Sequence, residues 1–591
     1  MNPKELTTCC RRLLRLLLCL PGPPEVPSFS QLANDPEKTT DVPADGNDLD
    51  VGDGNGSYSD GAAIPTKGQH VQPGKNASIE RRDGNTGAMM LQPETRPISQ
   101  EQLVAEVKGI YDGLVIVETK CIEVDNTQSL NTDASKLNNE QWQALIALHR
   151  TLLCEYYDFF VASQHPSASP PLRRLALEYA MLARMWQHGI HSFLELLRQR
   201  LPESLEHLHT FFYLAYNIIT LLYETVPAFE DTWIECLGDL GRYRMVIEDD
   251  DIQEEVWTGV SRGWYSKASD KSPITGRLYH HLAILARPNA PQQLYYYTKS
   301  LCVPIPFLSA RESIMTLFDP VLGSNTSQLS QIDAAFVRVH GILFSGKAKD
   351  RLHDSMDEFL ELLDGHISQT QKHWLEAGCF IGMSLVFSLL GYGDESSPLM
   401  NSILRKQDQT DVATSEVSTP GASTPQTFTQ ALSFAVRIFD IVFRRLGDVN
   451  ILPFVHTTLV FMKFMTSNAT AMSHLEGKYP WELTSNLLNS LLDAVQSEPR
   501  MDGAFPRPEK DESSRPLPED YAMRGLTYTE SYFPADWFSN EIDESESYLE
   551  LLSMTEERKE RILYLGYEIA RQKNWLIFDE STRRFSATGW G

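Results

Sequence analysis

From Ile98 to about Gln496 the apolar residues recur three and four positions apart in one segment after another, and sustained two-residue alternation is scarce. That spacing gives each segment an apolar stripe along a helix. A single helix cannot bury such a stripe alone, so the chain has to stack many of them. The expected class is all-α: a helical array followed by helical hairpins, behind a disordered N-terminus. From about residue 21 the leader, residues 1–98, is rich in Pro, Gly, Asp, Asn and Ser. It offers too little apolar surface to offset the entropy of ordering. Its "RRLLRLLLCLPG" imitates a signal peptide, but Arg15 interrupts a short apolar core and no clean cleavage site follows.

Three segments set the expected order of the first helical domain, residues 99–255. "EQLVAEVKGIYDGLVIVETKCIEVDN" contains the β-branched "LVIV", yet Val107, Ile110, Tyr111, Leu114 and Val117 keep helical spacing, so a helix is expected. "LRRLALEYAMLARMWQHGIHSFLELLRQRL" reads as one helix with Leu175, Tyr179, Leu182, Trp186, Ile190, Phe193 and Leu197 on one face. "SLEHLHTFFYLAYNIITLLYETV" is apolar nearly all round and is expected at the centre. Shorter helical pairs follow over 256–404, with Trp, Tyr, small residues and Pro placed as in tetratricopeptide repeats. A polar loop at 405–427 carries Thr419 and Thr424, each before Pro. Helical hairpins resume over 428–498. A linker and one last helix fill 499–591, the helix opened by a Ser553–Glu556 capping box.

With 52 basic against 79 acidic side chains the formal charge is −27, which repels nucleic-acid phosphates unless a local basic patch intervenes. The eight cysteines form no CxxC pair and have no His at zinc-ligand spacing, which favours a reducing compartment, nucleus or cytoplasm. No run of eighteen or more apolar residues is present, so no membrane association is expected. There is no nucleophile elbow, no phosphate-binding loop ending in Gly-Lys-Ser/Thr and no strand leading to a Gly-rich turn. "EDDD" (248–251) reads as a solvated acidic loop. His188 and His191 lack a third metal ligand, and His280–His281 reads as a packing pair. No catalytic residue, metal or cofactor is therefore expected.

One stretch invites a binding function: "ECLGDLGRYRM", Glu235–Met245. Asp239, Arg242 and Tyr243 share one helix face through i, i+3 and i, i+4 spacing. Two readings stand. Asp239 and Arg242 form an ion pair with Tyr243 packed beside them, or Arg242 and Tyr243 grip a phosphate through charge-assisted hydrogen bonds worth about 1.5–3 kcal/mol each. A second pattern lies over 256–320. There Arg262, Lys267, Lys271, Arg277, Arg287, Lys299 and Arg311 interleave with Trp264, Tyr265, Tyr279 and Tyr295–Tyr297. It suits single-stranded nucleic acid by charge and stacking. The plainer reading, hairpin core and solvated charge, is favoured.

"LGDLGRYR", followed by "GRLYHHLAILA" and "LYYYTKSL", resembles the EST/SMG family: the telomerase-associated ever-shorter-telomeres protein and the SMG adaptors of nonsense-mediated mRNA decay. "LPED" (517–520) and "RGL" (524–526) are similar to its C-terminal signature, and the likeness spans about 100–590, nearest to a filamentous-fungal type. It implies a 14-3-3-like tetratricopeptide domain ahead of a hairpin domain described as DNA/RNA-binding. It implies a non-catalytic adaptor that docks a phosphorylated RNA helicase, or another phosphoprotein, with a related adaptor as hetero-dimer partner. The alternative is a factor binding telomerase RNA or telomeric DNA through the hairpins. Arg242 and Tyr243 match the family's phosphate-binding pair, and Trp186 and His188 its Trp-x-His. His191 stands where the decay adaptors have Lys. A histidine of ordinary pKa is mostly neutral at cytosolic pH, so the departure implies either a weaker site that tightens in acid, with Arg184 and Arg244 in support, or a lost site on a purely structural helical scaffold. Nothing after residue 500 is expected to supply the PIN nuclease of other members.

Overall fold

The computed structural model describes residues 98–130, 137–248, 251–323, 329–408, 425–495, 505–507, 515–539 and 549–589. The leader up to residue 97, and the Thr419 and Thr424 sites, lie outside the described residues.

The all-α expectation holds. Helix α1 (Gln100–Leu130) runs unbroken through "LVIV", because Leu103, Val107, Tyr111 and Leu114 all bury their side chains on one face. Tertiary burial outweighs the weak strand preference of β-branched residues. α2 (Asn139–Ser163) opens with a reciprocal cap: the Asn138 side chain accepts from the Gln141 N–H, and the Gln141 side chain from the Asn138 N–H.

Residues 170–199 are not the single helix that their stripe suggests. α3 (Pro170–Glu178) ends before Ala180, which sits in the left-handed region at φ 49°. A turn at Met181–Arg184 leads into a π-helical segment, Met185–His191, and then into α4 (Ser192–Gln199). Leu175, Tyr179, Ile190, Phe193 and Leu197 are nonetheless buried. Periodicity registered the face and missed the breaks. α5 (Leu205–Thr225) is not central either: Tyr213 and Leu221 are exposed.

α6 (Glu230–Ile247) lies between two apolar cores. Trp233, Leu237 and Leu240 join the first, with residues of α1–α5, whereas Ile234 joins the second. The second core is built by α7 (Asp251–Lys271), α8 (Gly276–Leu285), α9 (Ala290–Cys302), α10 (Met315–Leu322), α11 (Gln331–Ser345), α12 (Leu352–Thr370), α13 (His373–Leu389), α14 (Pro398–Asp408), α15 (Gln426–Phe443), α16 (Leu452–Thr466), α17 (Ala469–Leu475) and α18 (Trp481–Ala494). The stretch Val449–Thr466 is long and apolar enough to cross a membrane, yet most of it is buried, with α16 packed between α13 and α20 (Met554–Ala570).

The C-terminal segment is part of this second core. In α19 (Pro518–Met523) the two "LPED" carboxylates point inward. Glu519 accepts from Arg558 Nε at 2.6 Å, Arg558 Nη2 at 3.0 Å and His456 at 3.0 Å. Asp520 accepts from Trp537 Nε1 at 3.1 Å. Burial raises the Glu519 carboxyl, but Arg558 and His456 outweigh it and hold the group well below the carboxylate range. Gly525, at φ 82°, passes so close to Pro273 that an added Cβ would lie 2.0 Å from its carbonyl oxygen. α20 is preceded by Ser553, but Ser553 has helical dihedrals and makes no side-chain cap, so the expected capping box is not formed. "NWLIFDE" contributes a strand the sequence did not announce. β1 (Leu576–Asp579) pairs antiparallel with β2 (Arg584–Ala587), Leu576 opposite Ala587.

Candidate anion-binding site at the junction of the two cores

The glycines of "LGDLG" bring α6 and α7 together. A Cβ on Gly238 would meet the Tyr265 ring at 3.0 Å, and one on Gly241 would meet Ser261 at 3.2 Å. Ser261 Oγ donates to the Gly238 carbonyl at 2.8 Å, sealing the contact. That close approach puts Asp239 and Arg242, next along the helix, into a polar seam. Arg242 Nη2 donates to Asp239 Oδ1 at 2.8 Å, and Tyr265 Oη donates to the same oxygen at 2.5 Å. Arg242 Nη1 stands 3.2 Å from His281 Nδ1, so His281 accepts there and carries its proton on Nε2. Burial and the facing Arg242 hold His281 well below its usual pKa, which keeps it neutral.

The other side of the cluster comes from α4. Arg198 donates to Glu195 through Nε at 2.5 Å and Nη2 at 2.9 Å, and Tyr243 Oη donates to Glu195 Oε1 at 2.5 Å. One carboxylate thus receives an arginine fork and a phenol. Burial pushes the Glu195 carboxyl up, while Arg198 and Tyr243 more than offset it, so it stays ionised. His191 lies in the field of Glu195, Asp239, Arg198 and Arg242; burial dominates and lowers its pKa. Mild acid therefore charges it less readily than an ordinary histidine.

The fold brings His191, Arg242 and Tyr243 together and leaves the two supporting arginines elsewhere. Arg184 Nε donates to Glu118 at 3.1 Å and its guanidinium lies 5.8 Å from the Tyr111 ring, inside the first core. Arg244 points away from Arg242. It bonds His209 Nε2 at 2.9 Å, pairs with Glu248 and lies against Phe212 and Trp257. The π-helical turn at Met185–His191 separates His188 from His191: His188 feels Glu118, Arg184 and Asp125 instead. Glu195 and Arg198 escaped the sequence reading, although they follow His191 at i+4 and i+7 and so share its face. Among the described residues no group of three or more His, Cys, Asp or Glu side chains is placed to hold a metal; Asp249 and Asp250 are outside them.

The basic–aromatic interleaving over 256–320 is mostly core. Tyr265, Tyr279, Tyr295, Tyr297 and Lys299 are buried. Arg277 pairs with Glu235 at 2.6 Å, Lys271 pairs with Glu230, Arg262 bonds the Leu285 carbonyl at 3.0 Å, and Arg311 bonds the Tyr392 carbonyl at 3.1 Å. Those tyrosines offer no faces for base stacking.

Fold and junction define a class: an all-α chain in which a helical array is fused, through one shared helix, to a larger helical body. Residues 261–533 match the Est1 DNA/RNA binding domain. The chain is 40% identical over 86 residues to telomerase-binding protein EST1A of Danio rerio, a stretch covering 14% of this chain and 5% of that protein. It is 33% identical over 85 residues to nonsense-mediated mRNA decay factor SMG7 of Arabidopsis thaliana, covering 14% and 8%. The matched stretches are thus small parts of both relatives. A solved structure of Est1 and Cdc13 superposes with a TM-score of 0.52 at 12% identity, over 80% of this chain and 99% of that one, which is a likeness of fold.

Proposed function

We propose that this chain is a non-catalytic adaptor in nonsense-mediated mRNA decay or telomere maintenance, acting in nucleus and cytoplasm. It docks a phosphorylated partner, an RNA helicase by family resemblance, at the cluster of Arg198, Arg242 and Tyr243, with His191 as a neutral donor. One observation carries this reading: the Glu195 carboxylate is held by a guanidinium fork and a phenol, a donor set that suits two oxygens of a phosphate. Glu195 and Asp239 satisfy those donors, so the pocket is self-neutralised and an incoming dianion must displace a carboxylate. Calorimetry of a Ser-Gln phosphopeptide and its unphosphorylated twin on the full chain tests it. Phosphate-dependent binding that Arg242→Glu abolishes is expected. Because His191 stays neutral and the phosphate's second pKa is about 6, binding should weaken from about pH 7.5 to about pH 6. Equal, feeble binding of both peptides would remove the clamp. The match of residues 261–533 to the Est1 DNA/RNA binding domain favours a second role, binding of single-stranded RNA or DNA by the larger body.

A further inference from the structure

The outer face of α5 and α7 is built from aromatic rings. Trp257 has Phe212 and Tyr216 beside it, with ring centres 5.1 and 6.1 Å away, and Tyr213 stands 6.4 Å from it. Further along, Trp264 Nε1 donates to Tyr216 Oη at 3.0 Å, and the Trp264 ring meets Tyr223 edge-on at 5.6 Å. Phe212 is buried, whereas Tyr216, Trp257 and Trp264 are half-buried and Tyr213 is 47% exposed. Ile252 and Val256, about one turn apart on α7, add aliphatic surface at 69% and 51% exposed. Gly259 continues their line, and a Cβ added there would meet nothing within 4 Å. The outward side of a helix ordinarily carries charge. Tryptophan and tyrosine with aliphatic residues beside them, open to solvent, are instead the composition of a protein-docking surface. Its margin is acidic: Glu206 and Glu224 on α5, and Glu254 and Glu255 on α7, are all exposed. Two copies of this face would set carboxylate against carboxylate, so a complementary occupant is apolar and basic.

The chain carries such a segment itself. In "RRLLRLLLCL", Arg11, Arg12 and Arg15 alternate with Leu13, Leu16, Leu17 and Leu20. Those leucines stand at i, i+3, i+4 and i+7, the anchor spacing by which an amphipathic segment lies on an apolar groove. At the same spacing the arginines fall on the other side, and their long stems reach past an apolar contact to charges at its margin. Residues 21–97 give ample reach, at up to about 3.3–3.6 Å per residue. We propose that residues 11–20 dock on the α5–α7 face, with their leucines against Tyr213, Trp257, Ile252 and Val256 and their arginines toward Glu254 and Glu255. The tether makes the contact intramolecular, so a weak intrinsic affinity suffices. The face shares no residue with the Arg242 cluster, so this docking stands or falls apart from the phosphopeptide reading.

The test is hydrogen exchange of the full chain, read by mass spectrometry over residues 252–260. Arg11→Glu/Arg12→Glu/Arg15→Glu should speed exchange there about tenfold and leave the buried α16 unchanged. Leu13→Asp/Leu17→Asp should do the same through the apolar anchors. Both variants change residues far from α7 in sequence, so an effect on α7 cannot come from its own helix preference. Glu254→Arg/Glu255→Arg should also speed exchange, and joining it to the triple arginine variant should restore much of the protection. That recovery requires the two sets of charges to meet, because independent sites would simply add. Exchange over 252–260 that ignores both leader variants would overturn the proposal, as would a combined variant no better protected than its parts. Protection that rises with protein concentration would assign the face to another copy of the chain and overturn it as well.

Discussion

Glu195→Gln should tighten phosphopeptide binding about tenfold. The substitution keeps shape and one acceptor but removes a negative charge from the position the phosphate must take. Its side chain is 12% exposed and that of Arg198 23%, so solvent screens the site only in part. Charge-assisted hydrogen bonds contribute about 1.5–3 kcal/mol each. An incoming phosphate exchanges partners instead of adding them, so most of that gain cancels. What remains is repulsion between Glu195 and the dianion. For unit charges about 6 Å apart at an effective dielectric of about 20 it is roughly 3 kcal/mol. A displaced, rehydrated carboxylate would lower this figure, and so would the loss of a preordered Arg198. About 1.4 kcal/mol net is a factor of ten. Calorimetry at about pH 7.5 on both proteins reads the change, with thermal melts to confirm that both are folded. Unchanged or weakened phosphate-dependent binding in the Glu195→Gln protein would refute the argument. Glu195, Arg198 and Tyr243 would then be a structural ion pair with a phenol attached.

Three further outcomes follow from the second core and from the histidines whose pKa burial lowers. Glu519→Ala leaves Arg558 buried with only Glu550 to pair it, at 2.9 and 3.1 Å, and should cost about 3–5 kcal/mol in urea unfolding. The Glu519→Ala/Arg558→Met double variant should recover most of that. Gly525→Ala drives a methyl group into the Pro273 carbonyl at a positive φ, so it should cost more than about 1 kcal/mol and loosen the C-terminal segment toward proteolysis. His191 and His281 are held down by burial, and His280 and His340 are lowered to about 3. The unfolded chain therefore binds protons that the folded one refuses, and stability rises with pH. That stability is present above about pH 6.5 and is lost as pH falls toward the folded values, so the urea midpoint should already drop between about pH 7 and pH 5.

Helix existence was legible because it is a local property: a stripe at three-to-four spacing is visible without knowing what covers it. "LVIV" in α1 shows the limit of residue preference, and its flanking stripe shows why spacing was the better guide. Breaks within a stripe were not legible. Ala180 at φ 49° and the π-helical turn before α4 leave the same residues on the buried face, so periodicity barely registers them. At the site, Arg242 and Tyr243 stood out as an odd triplet in an apolar helix, and their neighbours on α6 were readable as one face.

Sequence alone determined that this is a stack of helices, and that a cation and a phenol share a face at "GDLGRYR". Tertiary structure decided which carboxylate each one meets. Tyr243 finds Glu195 at a separation of 48 residues, Arg558 finds Glu519 at 39, and Tyr295 reaches the Ala522 carbonyl across 227. It also decided that His191 is half-buried with a lowered pKa, and that Tyr265, Tyr279, Tyr295 and Tyr297 are core. Charge state and exposure depend on what packs nearby, and in a stacked helical array that neighbour comes from a distant part of the chain.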